Sequence, residues 1–300
     1  MTIRPKANQA KETNCTTHKN NHPWKLTEPK HRFSDLILDA GTVSQLHDVV
    51  SYYQYQDLLL NTWGLSERYA EKAGLAANLY GEPGTGKTMA AHAIANAIGK
   101  KLLLVDYAEI ESKYVGETAK NLTALFHTAE AQEAIIFFDE ADALLSKRVT
   151  TMASATDVSV NQTRSVLLNL LNDYKGMVLF ATNFLRNYDP AFLRRIRYHI
   201  HFPLPDAEHR EMLWKQYIPA RMPCHVDYRE LAEKYDGISG SDIANAVFTA
   251  AVFSAGNHEK EVSQIALERA VQSTIDAKSA NHSYGLGKYT EAIKEHKQME

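Results

Sequence analysis

The sequence has few of the features that mark secreted, metal-cluster or membrane-spanning proteins. Its 300 residues include two cysteines, Cys15 and Cys224, which lack metal-type spacing, so a reducing compartment is expected. No apolar run reaches the roughly 18 residues of a membrane helix, and no apolar signal region stands near the N-terminus. We therefore expect a cytoplasmic protein without a membrane partner. The net charge of −3 gives no global preference for nucleic acid.

The first 32 residues differ in composition from the rest of the chain. They hold seven lysines and arginines against two glutamates, and they contain few apolar side chains. Such a segment cannot bury enough apolar surface to order itself. Residues 1–32 are therefore predicted to form a basic, disordered arm, and a docking tail for an acidic partner is the alternative. Residues 281–300 are predicted to be a polar C-terminal tail.

Short apolar runs alternate with helix-like segments from residue 75 onwards. Such alternation indicates a parallel sheet covered by helices on both faces. The predicted strands are 75–80, 102–106, 134–140, 177–183 and 198–202. Only helical patterns follow, at 206–218, 227–235, 239–255 and 260–278. The sequence therefore predicts an α/β domain over residues 33–203 and a small all-helical domain over residues 204–280.

The loop GEPGTGKT, residues 81–88, follows the first predicted strand of this alternating region and opens a helix. It matches G-x-x-x-x-G-K-[ST], in which glycines let successive backbone N–H groups turn towards phosphate oxygens. The helix N-terminus adds its partial positive charge. Lys87 is expected to reach the β- and γ-phosphates, and the Thr88 hydroxyl to coordinate Mg²⁺. The predicted nucleotide-binding residues are Gly81, Glu82, Pro83, Gly84, Thr85, Gly86, Lys87, Thr88 and Met89.

The apolar run AIIFFDE, residues 134–140, delivers two carboxylates at the end of a predicted strand. Asp139 suits a Mg²⁺ ligand beside the phosphate loop, and Glu140 could orient or deprotonate an attacking water. The two motifs together predict a magnesium-dependent nucleoside triphosphatase. The letters DEAD at 139–142 also mark DEAD-box RNA helicases. Those enzymes need a second nucleotide-handling α/β domain, whereas this chain turns helical after residue 205.

Several further motifs follow in a characteristic order. They are SKYVGET (112–118), IIFFDEADAL (135–144), ATN (181–183), DPAFLRR (189–195), PLPD (203–206) and GISGSDI (237–243). With the phosphate loop, these motifs make residues 33–275 resemble the ATPase module of the AAA proteins, within the AAA+ superfamily. The resemblance implies ATP and Mg²⁺ as cofactors, a P-loop fold with a five-stranded parallel sheet, and a helical lid. It also implies a ring, usually a homo-hexamer.

The resemblance also implies roles for residues outside the phosphate loop. Asn183 resembles the sensor-one residue that holds the attacking water. Arg194 and Arg195 resemble the arginine fingers that reach a neighbouring subunit's site and neutralise charge on the γ-phosphate. When the resemblance is left aside, an arginine pair after a short helix more often belongs to a solvent-exposed surface. Gly240 and Ser241 resemble the lid turn that packs near the adenine.

Lys113, Tyr114 and Val115 match the first pore loop, with which the family grips an extended polypeptide. Without the resemblance, the sequence is equally compatible with a buried Tyr114 that packs over the core. The polar segment 147–159 falls where a second pore loop would lie. The resemblance therefore implies a protein substrate and an ATP-dependent remodeller or unfoldase.

Two features depart from the family pattern. The segment SDLILDAG (34–41) replaces the usual Asp-[Ile/Val]-Gly-Gly, and Ser241 stands where many AAA+ relatives place a sensor-two arginine. The motifs are similar to those of small bacterial single-module remodellers. The interpretation favoured here is the group that remodels HORMA-domain signalling proteins in antiviral defence. The alternatives are an ATPase of a contractile injection system, a DNA-directed AAA+ loader and a slow nucleotide-switched scaffold. The pore-loop aromatic Tyr114 and the net charge of −3 argue against a nucleic-acid partner.

Overall fold

A six-stranded sheet forms the centre of the computed structural model, which describes residues 23–69, 74–106, 110, 117–146, 155–183 and 188–297. In chain order the strands are β1 (Trp24–Thr27), β2 (Leu75–Gly81), β3 (Leu102–Asp106), β4 (Ile135–Asp139), β5 (Met177–Thr182) and β6 (Tyr198–Phe202). Their order in space is β1-β3-β4-β5-β2-β6. The pairs among β2 to β6 are all parallel, whereas β1 pairs antiparallel with β3. The predicted five-stranded parallel sheet is confirmed.

The helices lie on both faces of the sheet and then continue without strands. Before β6 they are α1 (Ala40–Asp57), α2 (Leu65–Tyr69), α3 (Lys87–Ala97), α4 (Glu117–Ala131), α5 (Asp142–Leu145), α6 (Ala155–Asp173) and α7 (Pro190–Leu193). After β6 they are α8 (Ala207–Tyr217), α9 (Tyr228–Lys234), α10 (Gly240–Gly256) and α11 (Gln264–Lys297). Within the described ranges, none of them combines the length and the apolar character that a bilayer-crossing helix needs.

The apolar runs of the strands are buried on both sides. In β4, Ile136 and Phe138 face a core with α4, α5 and α6, while Ile135 and Phe137 face a core with α1 and α3. Successive side chains of a strand point to opposite faces, so a continuous apolar run is what two covered faces require. A third core joins α8 to α11 around the fully buried Trp214. The helical part after residue 205 therefore has its own apolar centre.

The prediction of a disordered arm is wrong at the end of that segment. Trp24–Thr27 form β1, with Trp24 opposite Val105 and packed against one face of the core. Glu28 then pairs with Lys101 at 2.7 Å. The strand has only four residues, too few for a clear alternating pattern, and its stability comes from a partner far along the chain. Residues 1–22 of the predicted arm lie outside the described residues.

The strand order brings three loops together. Because β5 lies between β4 and β2, the carboxyl ends of these three strands are neighbours at one edge of the sheet. Tyr80 near the end of β2 pairs with Thr182 at the end of β5. In parallel α/β sheets this edge is where ligands bind. The phosphate loop, the Asp139 carboxylate and Asn183 therefore meet at one place.

Candidate functional site

The phosphate loop joins β2 to α3 in a conformation that depends on its glycines. Gly84 and Gly86 have φ angles of 79° and 100°, in the left-handed region that favours glycine. At Gly84 a side chain is also excluded by space, because an added Cβ would lie 1.8 Å from Ser241 Oγ. The Thr85 hydroxyl donates to the Glu82 carbonyl at 2.8 Å and closes the turn. A larger residue at either glycine would disturb the loop.

Lys87 begins α3, and its ammonium group lies among the carbonyl groups of the loop. Nζ donates to the carbonyl oxygens of Gly81 at 2.7 Å and Glu82 at 2.9 Å, and to Asn183 Oδ1 at 3.2 Å. Burial lowers the pKa of Lys87 from its usual value, and the nearby carboxylates, Asp139 foremost, act in the opposite direction. This cation can exchange neutral carbonyl partners for phosphate oxygens, which are stronger acceptors.

The two residues predicted to hold Mg²⁺ lie side by side. Thr88 Oγ1 donates to Asp139 Oδ2 at 3.0 Å, and both residues line the same cavity. Mg²⁺ prefers oxygen ligands and usually takes only one or two carboxylates besides waters and substrate phosphates. These residues therefore fit a magnesium–nucleotide complex. The described residues contain no cluster of three or more His, Cys, Asp and Glu side chains that would hold a metal by themselves.

Glu140 lies at the rim of this cavity in an unusual backbone conformation. Its φ is 50°, and its backbone N–H donates to Asp139 Oδ1 at 3.0 Å. A non-glycine residue in the left-handed region costs on the order of 1 kcal/mol. The tight turn places the second carboxylate beside the first, exposed and lining the cavity. An exposed carboxylate in this position can accept a proton from a water.

Asp142 is a site residue that sequence reasoning missed. Both of its carboxylate oxygens lie within hydrogen-bond distance of the Asn183 backbone N–H, at 3.1 and 3.2 Å. Asn183 Oδ1 in turn accepts from Lys87. Asp142 therefore acts through Asn183 as a positioning residue. The available sequence signal was its place three residues after Asp139, just beyond a rigid strand.

A cavity of about 690 Å³ extends from the phosphate loop towards the helical part of the chain. Residues 83–89 form its phosphate-loop end, and residues 35–39, 203–206 and one face of α8 form its other walls. Ser241 N donates to the Gly84 carbonyl at 3.2 Å, so the predicted lid turn contacts the phosphate loop directly. The volume is typical of a small-molecule site. The segment SDLILDAG (34–41), which differs from the family pattern, supplies part of the wall through residues 35–39.

The predicted arginine fingers do not belong to this cavity. Arg194 and Arg195 are exposed just after α7. Arg194 Nε donates to the Pro190 carbonyl at 3.3 Å, and Arg195 Nε donates to Asn172 Oδ1 at 2.9 Å. Both guanidinium groups therefore lie on the surface of a single chain.

The predicted pore-loop residues Lys113, Tyr114 and Val115 lie outside the described residues. The same holds for residues 147–154 of the predicted second pore loop, and α6 begins at Ala155. The roles given to both segments stay predictions.

Comparison with known proteins gives a family match that covers the phosphate-binding end of this site. Residues 77–204 match the model of AAA, described as "ATPase family associated with various cellular activities". The chain is 35% identical over 206 residues to the 26S proteasome regulatory subunit 8 homolog of Schizosaccharomyces pombe, covering 66% of this chain and 51% of that protein.

Two further relatives come from an archaeon and a bacterium. Proteasome-activating nucleotidase 1 of Haloferax volcanii is 36% identical over 192 residues, which is 61% of this chain and 47% of that protein. The ATP-dependent zinc metalloprotease FtsH of Helicobacter felis is 31% identical over 264 residues, which is 83% of this chain and 39% of that protein. The chain therefore spans about half the length of these relatives, or less.

Proposed function

Because residues 77–204 match the model of the AAA ATPase family, we propose that the chain is an ATP-dependent protein unfoldase or remodeller. The observation that carries the proposal is the meeting of Lys87, Thr88, Asp139 and Asn183 at one cavity. The names of the relatives support protein as the substrate class, since they include a proteasome subunit, a proteasome activator and a metalloprotease.

In the proposed mechanism each residue has one task. Mg²⁺–ATP supplies the phosphoanhydride bond to be cleaved and the charge of the metal ion. Thr88 and Asp139 would hold the cation, and Lys87 would exchange its carbonyl partners for phosphate oxygens. Glu140 takes a proton from the attacking water, which Asn183 orients.

Replacing Glu140 with glutamine should separate binding from hydrolysis. The amide keeps the shape of the side chain but cannot take a proton, so turnover should fall by roughly 10²–10⁴-fold while ATP affinity stays within about threefold. Both are measured on the full chain, by phosphate release and by equilibrium binding. Glu133→Gln is the matched control, because Glu133 also has positive φ (48°) but pairs with Lys100 outside the cavity. Wild-type turnover in Glu140→Gln would remove Glu140 from the mechanism.

We also propose that the working form is a homo-hexameric ring in which Arg194 and Arg195 complete the site of the next subunit. Their exposure in the single chain and their separation from its cavity support this arrangement. A ring also provides the channel in which Tyr114 would grip a substrate.

Replacing Tyr114 with alanine should separate ATP hydrolysis from protein unfolding. The aromatic ring is proposed to press against an extended chain without taking part in phosphate chemistry. Basal hydrolysis should therefore stay within about a factor of three, whereas unfolding of a tagged fluorescent protein should be lost. Tyr55→Ala is the matched control, since Tyr55 is 56% exposed on α1.

Melting of the Tyr114→Ala protein distinguishes the pore position from a core position. Truncation of a buried aromatic typically costs about 3–5 kcal/mol, so a core Tyr114 would lower the melting temperature and both activities. Full unfolding activity in the variant would contradict the proposed grip.

A finer proposal concerns the substrate. On motif resemblance alone, we propose a HORMA-domain signalling protein of bacterial antiviral defence. Purified HORMA domains should be retained by Glu140→Gln rings in ATP and released in ADP. Equal retention of an unrelated folded protein would contradict this substrate while leaving the unfoldase proposal in place.

A further inference from the structure

One face of α8 lines the part of the cavity that extends away from the phosphate loop. The cavity-lining residues of this helix are spaced at three and four positions: His209, Leu213, Gln216 and Tyr217. Such spacing places them along a single helical face. Leu213 lies against the lid turn, because a Cβ added to Gly240 would be 3.5 Å from its Cδ2. His209 is one helical turn beyond Leu213 towards the N-terminus of α8.

Asp206 determines which ring nitrogen of His209 stays available. Asp206 Oδ1 lies 2.9 Å from the His209 backbone N and 2.7 Å from its ring Nδ1. The backbone bond, and then the ring bond, lower the pKa of the Asp206 carboxyl, so the group stays ionised and can only accept. Nδ1 must therefore carry a proton. In neutral imidazole this leaves Nε2 as an acceptor.

Two neighbouring polar side chains on this wall, Gln216 and Asp39, are engaged elsewhere, whereas His209 Nε2 has no hydrogen-bond partner in the described part of the chain. Gln216 Nε2 lies 3.5 Å from the Asp35 carbonyl, and Asp39 accepts from the Thr42 N–H at 2.9 Å as the N-cap of α1. The His209 side chain is only 21% exposed. Residues 36–38 add apolar side chains to the same cavity. The wall therefore combines apolar surface with an imidazole whose acceptor nitrogen is set by Asp206.

We propose that His209 reads the nucleotide base, its Nε2 accepting a hydrogen bond from the amino group on carbon 6 of adenine. The inference rests on the proposed nucleotide site at the phosphate loop. Adenine donates from that position, whereas guanine and hypoxanthine carry a carbonyl oxygen there. A carbonyl opposite Nε2 would leave two acceptors facing each other, so the site selects ATP over GTP and ITP.

Binding of ATP and ITP to the full chain with Mg²⁺ at pH 8 tests this assignment, because imidazole is ordinarily neutral there. ITP differs from ATP only by the carbonyl at carbon 6 and the proton on the adjacent ring nitrogen. Wild type should prefer ATP by about tenfold, the worth of one hydrogen bond and the unpaired group left by its loss. His209→Ala should weaken ATP about tenfold and leave ITP within about twofold.

A second variant keeps the helix and changes only the bonding pattern. His209→Gln offers both a donor and an acceptor, so ATP affinity should stay within about threefold while the preference over ITP falls towards one. His201→Ala is the control, because His201 is an exposed strand residue outside the cavity. It should leave both affinities unchanged.

The outcomes separate this inference from the function on which it rests. Equal losses of ATP and ITP in His209→Ala would show that His209 only braces α8 through Asp206, and would overturn the assignment. A wild-type protein without preference for ATP would do the same. Absence of any nucleotide binding by the wild type would instead overturn the proposed ATPase function.

Discussion

Replacing Lys87 with alanine is expected to bring ATP binding below detection, a loss of more than about 100-fold. The ammonium group is buried at the start of α3, and its carbonyl partners are the groups that phosphate oxygens would replace. Without it, the described residues that line the cavity include no lysine or arginine to face the charge of the triphosphate. Titration calorimetry or a fluorescent ATP analogue, with the full chain and Mg²⁺, measures the effect.

Two companion variants test whether the loss of ATP binding comes from removal of the Lys87 charge. Lys87→Met keeps most of the buried stem but removes the ammonium, so it should fail to bind ATP as completely as the alanine variant. Lys100→Ala removes an ammonium that pairs with Glu133 outside the cavity, and it should bind like wild type. Near-wild-type affinity in Lys87→Met would contradict the proposed role of the charge.

The sheet and the phosphate-binding end of the site were predictable because they depend on local sequence. Strands β3, β4 and β5 are apolar runs up to their last residue, and the loop at 81–88 carries its glycines at positions where φ is positive or space is lacking. Asp139 was predictable for a related reason, since it ends such a run. These features need no knowledge of distant contacts.

The parts that the sequence did not predict depend on long-range partners. Strand β1 is held by β3, and Asp142 acts on a backbone N–H 41 residues away. Neither partner can be found by counting along the chain. The role proposed for His209 could not be predicted from the sequence either, because it depends on the cavity wall that His209 forms with residues 35–39.

Removing either arginine of the pair Arg194 and Arg195 is expected to leave ATP binding intact and to lower hydrolysis by roughly 10³-fold or more. The physical reason is that a guanidinium group neutralises charge that develops only in the transition state. Because both side chains are exposed and lie outside the chain's own cavity, we expect the effect to act between subunits. Specific activity of the wild type should therefore also fall on dilution, as rings dissociate.

Mixing two inactive proteins tests the action between subunits directly. Arg195→Ala has an intact Glu140 but lacks one arginine of the finger pair, and Glu140→Gln has both arginines but no base. Where a Glu140→Gln subunit supplies its arginine to an Arg195→Ala site, that site regains both groups. Random assembly at equal amounts should restore about one quarter of the wild-type activity, since each site meets one neighbour in a closed ring.

The control mixture combines Arg195→Ala with Lys87→Ala, which also carries an intact finger and should restore a similar fraction if Lys87→Ala subunits still assemble. A finger that acts within its own chain predicts no recovery in either mixture, because no subunit then holds both groups. The proposed ring would be contradicted if ATP hydrolysis recovered without subunit exchange. Full turnover by a demonstrably monomeric wild type would contradict it as well. Recovery that grows with exchange time would place Arg195, which is exposed in the single chain, in the neighbouring site.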